Sequence, residues 1–405
     1  MANPPTPPHN EDNGHAALSE ESAPAHPARR ALSVGLQIAG FAIGIALLVW
    51  VFSVALKDEN REQLKKLADA SAWQLFGLFA LTGASITLNG LMFWVLIYPV
   101  KRLRVLDVVA VNALATGLSY LPFKLSLVAR VAIHRVRDGL PVATFGAWMI
   151  AVVGSLVATV GPIAAASAWR KGIDAVWIVT VVLGVIGANA VVVLLGRLLE
   201  GEAGLARIRA VLEVANLGTV ADGERFGQAH LGMSMLAKLE AFGAAMALRL
   251  CDLGVQAARF LIAASVLGVH LSFEDAALLG GCFFLIGALS PSGEAGLREG
   301  GTLVIAELIG ISESLAQSAE GTDPGSSPLV IIILFVAGTE SVVRLVAAGF
   351  SVVWLRADRL ITASGRARWS ESAPDMPAND RSGGSEGGPT VADADRADST
   401  EPDGR

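Results

Sequence analysis

The chain has 405 residues, 53% of them hydrophobic and 17% charged, with a formal net charge of −6 and a mean hydropathy of +0.55. That balance excludes an ordinary soluble domain, and the apolar residues are gathered in long blocks, so the sequence predicts an all-α, polytopic membrane protein. The acidic excess lies largely in the two ends, so it does not mark an acidic binding surface, and nothing points to nucleic acid as a partner.

In chain order, Met1 to about Pro27 is rich in Pro, Ala, Asn and Glu and lacks apolar periodicity; residues 1–30 are expected to form a disordered cytoplasmic tail. Some thirty mostly polar residues precede the first apolar block, which is long enough to span, so that block is read as a helix and not as a cleaved signal. Six blocks can cross roughly 30 Å of hydrocarbon as helices: Leu32–Leu56, Trp73–Val100, Leu140–Ala168, Ala175–Leu195, Phe242–Val269 and Pro328–Leu355. Val105–Arg137 and Ala276–Ile311 are apolar but broken in the middle by Pro, Gly and charge. They read as helical hairpins or paired short spans. A transmembrane domain over 31–356 is followed by a second tail, 357–405, in which Ser364–Arg405 is full of Gly, Ser, Asp and Pro.

Charge in the connections sets the orientation. One side collects Arg29 and Arg30, Lys101, Arg102 and Arg104, Lys124, Arg130, Arg135 and Arg137, Arg197 to Lys238, and Arg356 onward. The other holds Lys57, Arg61, Lys65 and Lys66 beside acids, plus Arg170 and Lys171, while His270–Asp275 and Glu313–Ser327 carry no Lys or Arg. The positive-inside rule then puts both termini in the cytoplasm of a multi-pass cell-membrane protein. With six full crossings, Val105–Arg137 enters and leaves from the cytoplasmic side and Ala276–Ile311 from the outer side. The two hairpins would be inverted copies, an arrangement that places a site at the midplane. Full crossing by the short pieces preserves the same parity and stays open.

The second broken region reads Ser290-Pro291-Ser292-Gly293-Glu294-Ala295-Gly296-Leu297-Arg298-Glu299-Gly300-Gly301. Charge and irregular backbone at membrane depth survive only where protein buries them or water reaches them, so this turn leads the candidate sites. Its glycines supply backbone freedom and close helix approach. Along Phe242–Val269, Arg249, Asp252, Gln256 and Arg259 share one helical face, where one acid does not neutralise two arginines. The surplus suits an anionic head group, for which a guanidinium fork is matched. Glu340 and Arg344, four residues apart in the last span, pair as a clasp or face a ligand. Lys124 and Arg130 serve either the site or the topology rule alone. Asn89, Asn112 and Asn189 are candidates to bond across helices, and Trp73, Trp169, Trp177 and Trp354 to form interfacial belts.

The two cysteines, Cys251 and Cys282, lie in apolar segments, and His134, His230 and His270 are widely separated; neither a disulfide framework nor a zinc or other metal site is expected. Hydrolase, metalloprotease and nucleotide-binding motifs are absent from the sequence, so no enzyme activity and no cofactor is expected. Movement of a substrate would then be downhill or ion-coupled, with Glu294, Glu299 or Glu340 as candidate proton carriers.

Leu289-Ser290-Pro291 with Gly293, Gly296, Arg298, Glu299 and Ile309-Gly310-Ile311 resembles the P-x-x-G-G-x-G-x-x-E … G-[IV] signature of the lysylphosphatidylglycerol synthetase transmembrane region, a flippase-like family. Leu121-Pro122-Phe123-Lys124, Arg130 and Asp138-Gly139-Leu140-Pro141 resemble that family's first element, with Leu125-Ser126 where the family commonly has Gly-Glu. The resemblance implies helices around paired re-entrant hairpins and movement of a charged lipid between leaflets. It does not imply lipid aminoacylation, which belongs to a separate domain. The expected function is translocation of an anionic lipid or polyprenyl-linked substrate; the alternative is a membrane-embedded scaffold without transport.

Overall fold

The structure is a computed structural model that describes residues 27–121, 124–170, 173–214, 224–290, 293–318 and 327–356. Of the expected tails, 1–30 and 357–405, residues 1–26 and 357–405 lie outside them, as does the separate unit Ile361–Arg405, while residues 27–30 are helical and begin the first helix. Among the described residues every regular element is helical.

Six helices are long and apolar enough to cross a membrane. They are α1 (Pro27–Ala55), α3 (Ala72–Ile97), α6 (Val142–Trp169), α7 (Ala175–Leu199), α11 (Leu239–Leu267) and α15 (Pro328–Leu355). Their starts follow from local chemistry. Ser71 and Gln74 close a capping box on α3, Asp174 accepts the amide of Trp177 at the start of α7, and Pro328 occupies the first turn of α15, where its missing N–H costs nothing. The protein is therefore a multi-pass, all-α membrane protein.

Each broken region is a pair of short helices. The first is α4 (Val105–Leu118) and α5 (Leu125–Asp138); the second is α12 (Phe273–Leu289) and α13 (Leu297–Leu308). At 1.5 Å per residue these run roughly 18 to 25 Å, less than the ~30 Å of hydrocarbon. Shorter helices fill the connections: α2 (Arg61–Ala68), α8 (Gly201–Val214), α9 (Glu224–His230), α10 (Met233–Ala237) and α14 (Ile311–Ser318).

The hairpins approach one another from opposite ends. Helices α3 and α11 are antiparallel, because Gln74 bonds to Ser265, Ser85 and Asn89 to Asp252, and Arg249 to Asn89. The first hairpin leaves from the end of α3 and the second from the end of α11, so they start at opposite ends of this pair. Their turns nevertheless touch: the amide of Glu294 donates to the carbonyl of Ser119 at 3.0 Å. Both turns lie beside the middle of α15, where Ser341 donates to the Tyr120 hydroxyl and Arg344 to Ser119. The ends of α15 are fixed separately, Trp354 by Asp107 at the start of the first hairpin and Ser327 by Asn60 at the far end. The two hairpins thus enter the bundle from opposite ends and meet at their turns beside the middle of α15.

Close backbone approach holds the second turn in place. Gly296 has φ +77°, and a Cβ there would run into the carbonyl of Gly44 on α1; Gly44 in turn faces the carbonyl of Ala295. A side chain at Gly296 would face both a disfavoured dihedral and an occupied space.

Candidate functional site

The buried charges form one connected network at the place where the turns meet. On α11, Arg249 donates to Asp252 at 3.2 Å and to Asn89 at 2.8 Å, and Asp252 also accepts from Ser85 at 2.6 Å and Asn89 at 2.9 Å. Ser85 accepts from Gln256, which accepts from Arg259 at 2.6 Å. Arg259, fully buried, reaches across to Glu340 of α15 at 2.6 Å. Glu340 also accepts from Arg298 at 3.0 Å and from Arg344. Glu294 accepts from Arg298 at 3.3 Å and from Arg344, and Glu299 accepts from Arg298 at 3.1 Å. Polar groups drawn from α3, α11, the second turn, α13 and α15 thus pair with one another where water is scarce, which is the condition for tolerating them there, although the Nε atoms of Arg249 and Arg259 have no partner.

Charge bookkeeping changes the sequence reading of α11. The surplus expected from Arg249, Asp252 and Arg259 is removed by Glu340, contributed by a helix more than seventy residues further along the chain. Within the network four arginines (Arg249, Arg259, Arg298, Arg344) face four carboxylates (Asp252, Glu294, Glu299, Glu340), so it is neutral as a whole. The Glu340–Arg344 clasp forms, but each partner is shared with the second hairpin. Glu299 has a structural task as well: its carboxylate accepts the amide of Gly296 at 2.7 Å and so caps α13.

An excess of positive charge lies elsewhere. Lys124 and Arg130, grouped above with the basic connections, are not at the end of the hairpin: Lys124 sits at the turn itself, in a left-handed conformation (φ 49°), and Arg130 is under two helical turns beyond it. Arg130 donates to Asn112 at 2.8 Å and stacks on Phe93 with its guanidinium carbon 4.3 Å from the ring centre. Among the described residues no carboxylate pairs with Arg130 or Lys124, and the Arg130 Nε is buried without a hydrogen-bond partner. Asn112 is held by the carbonyl of Ile86 and so acts as a fixed post for the guanidinium.

Most of these groups border one cavity of about 340 Å³. Its lining includes Asn112, Lys124 and Arg130 from the first hairpin, Arg249 and Arg259 from α11, Glu294 and Arg298 at the second turn, and Glu340 and Arg344 from α15. The cavity extends along α3, α4, α5 and α6, while from the second hairpin it takes only the turn, the adjoining end of α12 at Phe283, Phe284, Gly287 and Ala288, and Arg298 at the start of α13. It therefore occupies the half of the protein that holds the first hairpin, and the touching turns with their ion pairs form its floor. Counting Asp252 and Glu299, which bond to lining residues, six basic groups confront four acidic ones.

Of the residues expected from sequence, all but Asp252 and Glu299 line this cavity. Several participants were not singled out: Ser85, Phe93, Ser119 and Tyr120. Ser85 and Asn89, four apart in an otherwise apolar helix, carried a signal, since they share a face. Tyr120, one of two tyrosines in the chain, lies 5.8 Å and 5.4 Å from the guanidinium carbons of Arg298 and Arg344. Nothing local in the sequence announces that contact.

No protein-family model matches the chain, and no curated protein or solved structure matches it significantly. The resemblance to the flippase-like family rests on the residues of the two hairpins quoted above.

Proposed function

We propose that this membrane protein translocates a lipid or lipid-linked substrate with an anionic head group between leaflets. The observation that carries the reading is the mid-depth cavity with two basic groups in excess of its acidic ones. A charge left at bilayer depth costs at least ~2.5–3.5 kcal/mol on insertion scales, and an anionic head group would offset it while its acyl chains remain in hydrocarbon. By the positive-inside rule the cavity side, which carries Lys101, Arg102, Arg104, Arg135 and Arg137, is cytoplasmic, and so are both termini.

In this reading the head group enters from the side of the first hairpin and rests above the ion-paired floor. Passage requires the two turns to part, breaking the bond from Glu294 to Ser119 and re-pairing Arg298 and Arg344. The motif resemblance of the turns points in the same direction. A structure of the full chain in lipid nanodiscs containing an anionic phospholipid tests the reading: head-group density should lie in the cavity, above Arg298 and Arg344. A cavity holding only water or acyl chain at saturating lipid would favour the scaffold instead.

A further inference from the structure

We infer that Arg130 and Lys124 form a receptor for a single phosphate group, and that the network beneath them is a self-neutral floor which does not itself hold the ligand's charge. The inference deepens the reading above by naming the recognised chemistry, and it rests on the cavity being a ligand site, though not on transport.

The division follows from which charges are already satisfied. Arg249, Arg259, Arg298 and Arg344 each have a carboxylate partner between 2.5 and 3.2 Å or in tighter contact. A ligand anion that drew off Arg249 or Arg298 would strip Asp252 or Glu299 of its one arginine partner, and one that drew off Arg259 or Arg344 would still compete with the buried carboxylate of Glu340, which is unfavourable. Arg130 has no carboxylate in direct contact among the described residues; Glu294, which borders the same cavity, acts on it only through space. The contacts of Arg130 among the described residues are the neutral Asn112 oxygen and the face of Phe93; its Nε is unbonded, as are those of Arg249 and Arg259, so what sets it apart is the lack of a carboxylate contact.

Asn112 and Phe93 hold the guanidinium in place without neutralising it. This pre-organises a planar fork, which matches two oxygens of a tetrahedral phosphate better than it matches a point anion. Lys124, exposed at the turn and lining the same cavity, supplies the second positive charge as a flexible ammonium. Together they balance the one to two negative charges of a phosphate diester or monoester. The phosphate could belong to a lipid head group or be free inorganic phosphate, and the test separates the two.

The full chain in detergent is titrated with short-chain phosphatidate, short-chain diacylglycerol and inorganic phosphate, with binding read by calorimetry. Phosphatidate should bind and diacylglycerol, which lacks only the phosphate, should bind at least tenfold more weakly. Arg130→Gln should weaken phosphatidate roughly tenfold to a hundredfold, as expected for lost charge-assisted hydrogen bonds, and Arg130→Lys should recover only part of the loss. Lys124→Gln, at an exposed position, should fold normally and weaken binding a few-fold, which keeps the test decisive if Arg130→Gln fails to fold. Inorganic phosphate competing only at far higher concentration assigns the site to a lipid head group; competition at equal concentration assigns it to free phosphate. Equal binding of diacylglycerol and phosphatidate, or unchanged phosphatidate affinity in folded Arg130→Gln or Lys124→Gln protein, would overturn the inference. Phosphate-dependent binding without any flip-flop would leave it standing and remove transport.

Discussion

The amide of Glu294 donates to the carbonyl of Ser119 at 3.0 Å, joining the turn of one hairpin to the turn of another that starts from the opposite end of the bundle. A backbone bond of this length brings the two Cα atoms close, and a disulfide then forms once the two Cβ atoms turn to face each other. On a Cys251→Ser, Cys282→Ala background, Ser119→Cys with Glu294→Cys should form an intramolecular cross-link on mild oxidation, seen as a mobility shift reversed by reductant. Folded, detergent-stable protein that resists cross-linking would mean that the turns are apart.

Glu340 accepts from Arg259, Arg298 and Arg344, so it is the common counter-charge of three buried guanidiniums. Glu340→Gln keeps the shape and removes the charge. Loss of one partner from a buried ionic network costs about 3–5 kcal/mol, so this variant should unfold at markedly lower denaturant or temperature in detergent. Stability within 1 kcal/mol of the parent, by the order of magnitude expected for a surface pair, would show that the network is not buried as described.

Two glycines separate backbone necessity from mere helix softness. Gly296→Ala meets a left-handed dihedral and the Gly44 carbonyl, so it should lose at least roughly 1–3 kcal/mol. Gly338→Ala, within α15 where a Cβ would meet nothing within 4 Å, should be neutral or stabilising by up to about 1 kcal/mol. Equal thermal midpoints for the two variants would contradict the close approach of α1 to the second turn.

The long helices were legible because a bilayer imposes length and apolarity together: α15 spans Pro328–Leu355, the block read from sequence, and the boundaries of α3 and α6 shift by a few residues at most. The two broken regions were legible for the converse reason, since Pro, Gly and charge interrupt blocks that are otherwise apolar. Helices such as α2, α8 and α14 were not foreseen. Short and partly polar, they have the composition of connections, and helices of that length depend on packing and not on propensity. Within the site, face-sharing residues such as Arg249 and Asp252 were visible, whereas the pairing of Arg259 with Glu340, eighty-one residues away, is a tertiary fact. Arg130 was obscured by its neighbours. Near Arg135 and Arg137 it reads as one more basic residue of a connection, although the structure puts it beside the turn.

Orientation is testable without any ligand. Single cysteines at Ser272, which caps α12, and at Ser318, the last residue of α14, should react with an impermeant thiol reagent added to intact cells. A cysteine at Ser364, outside the described residues, should react only after permeabilisation. The reverse pattern would place the cavity on the outer side and invert the direction of loading.

The most direct measurement of the central claim is flip-flop of a fluorescent anionic phospholipid in proteoliposomes, read by quenching of the outer leaflet. The protein should accelerate exchange above protein-free vesicles, and Arg130→Gln should slow it roughly tenfold, corresponding to about 1.4 kcal/mol on the barrier, with the folded fraction unchanged. No protein-dependent exchange across a panel of anionic phospholipids and polyprenyl phosphates would contradict translocation and leave the buried ionic network as the core of a scaffold.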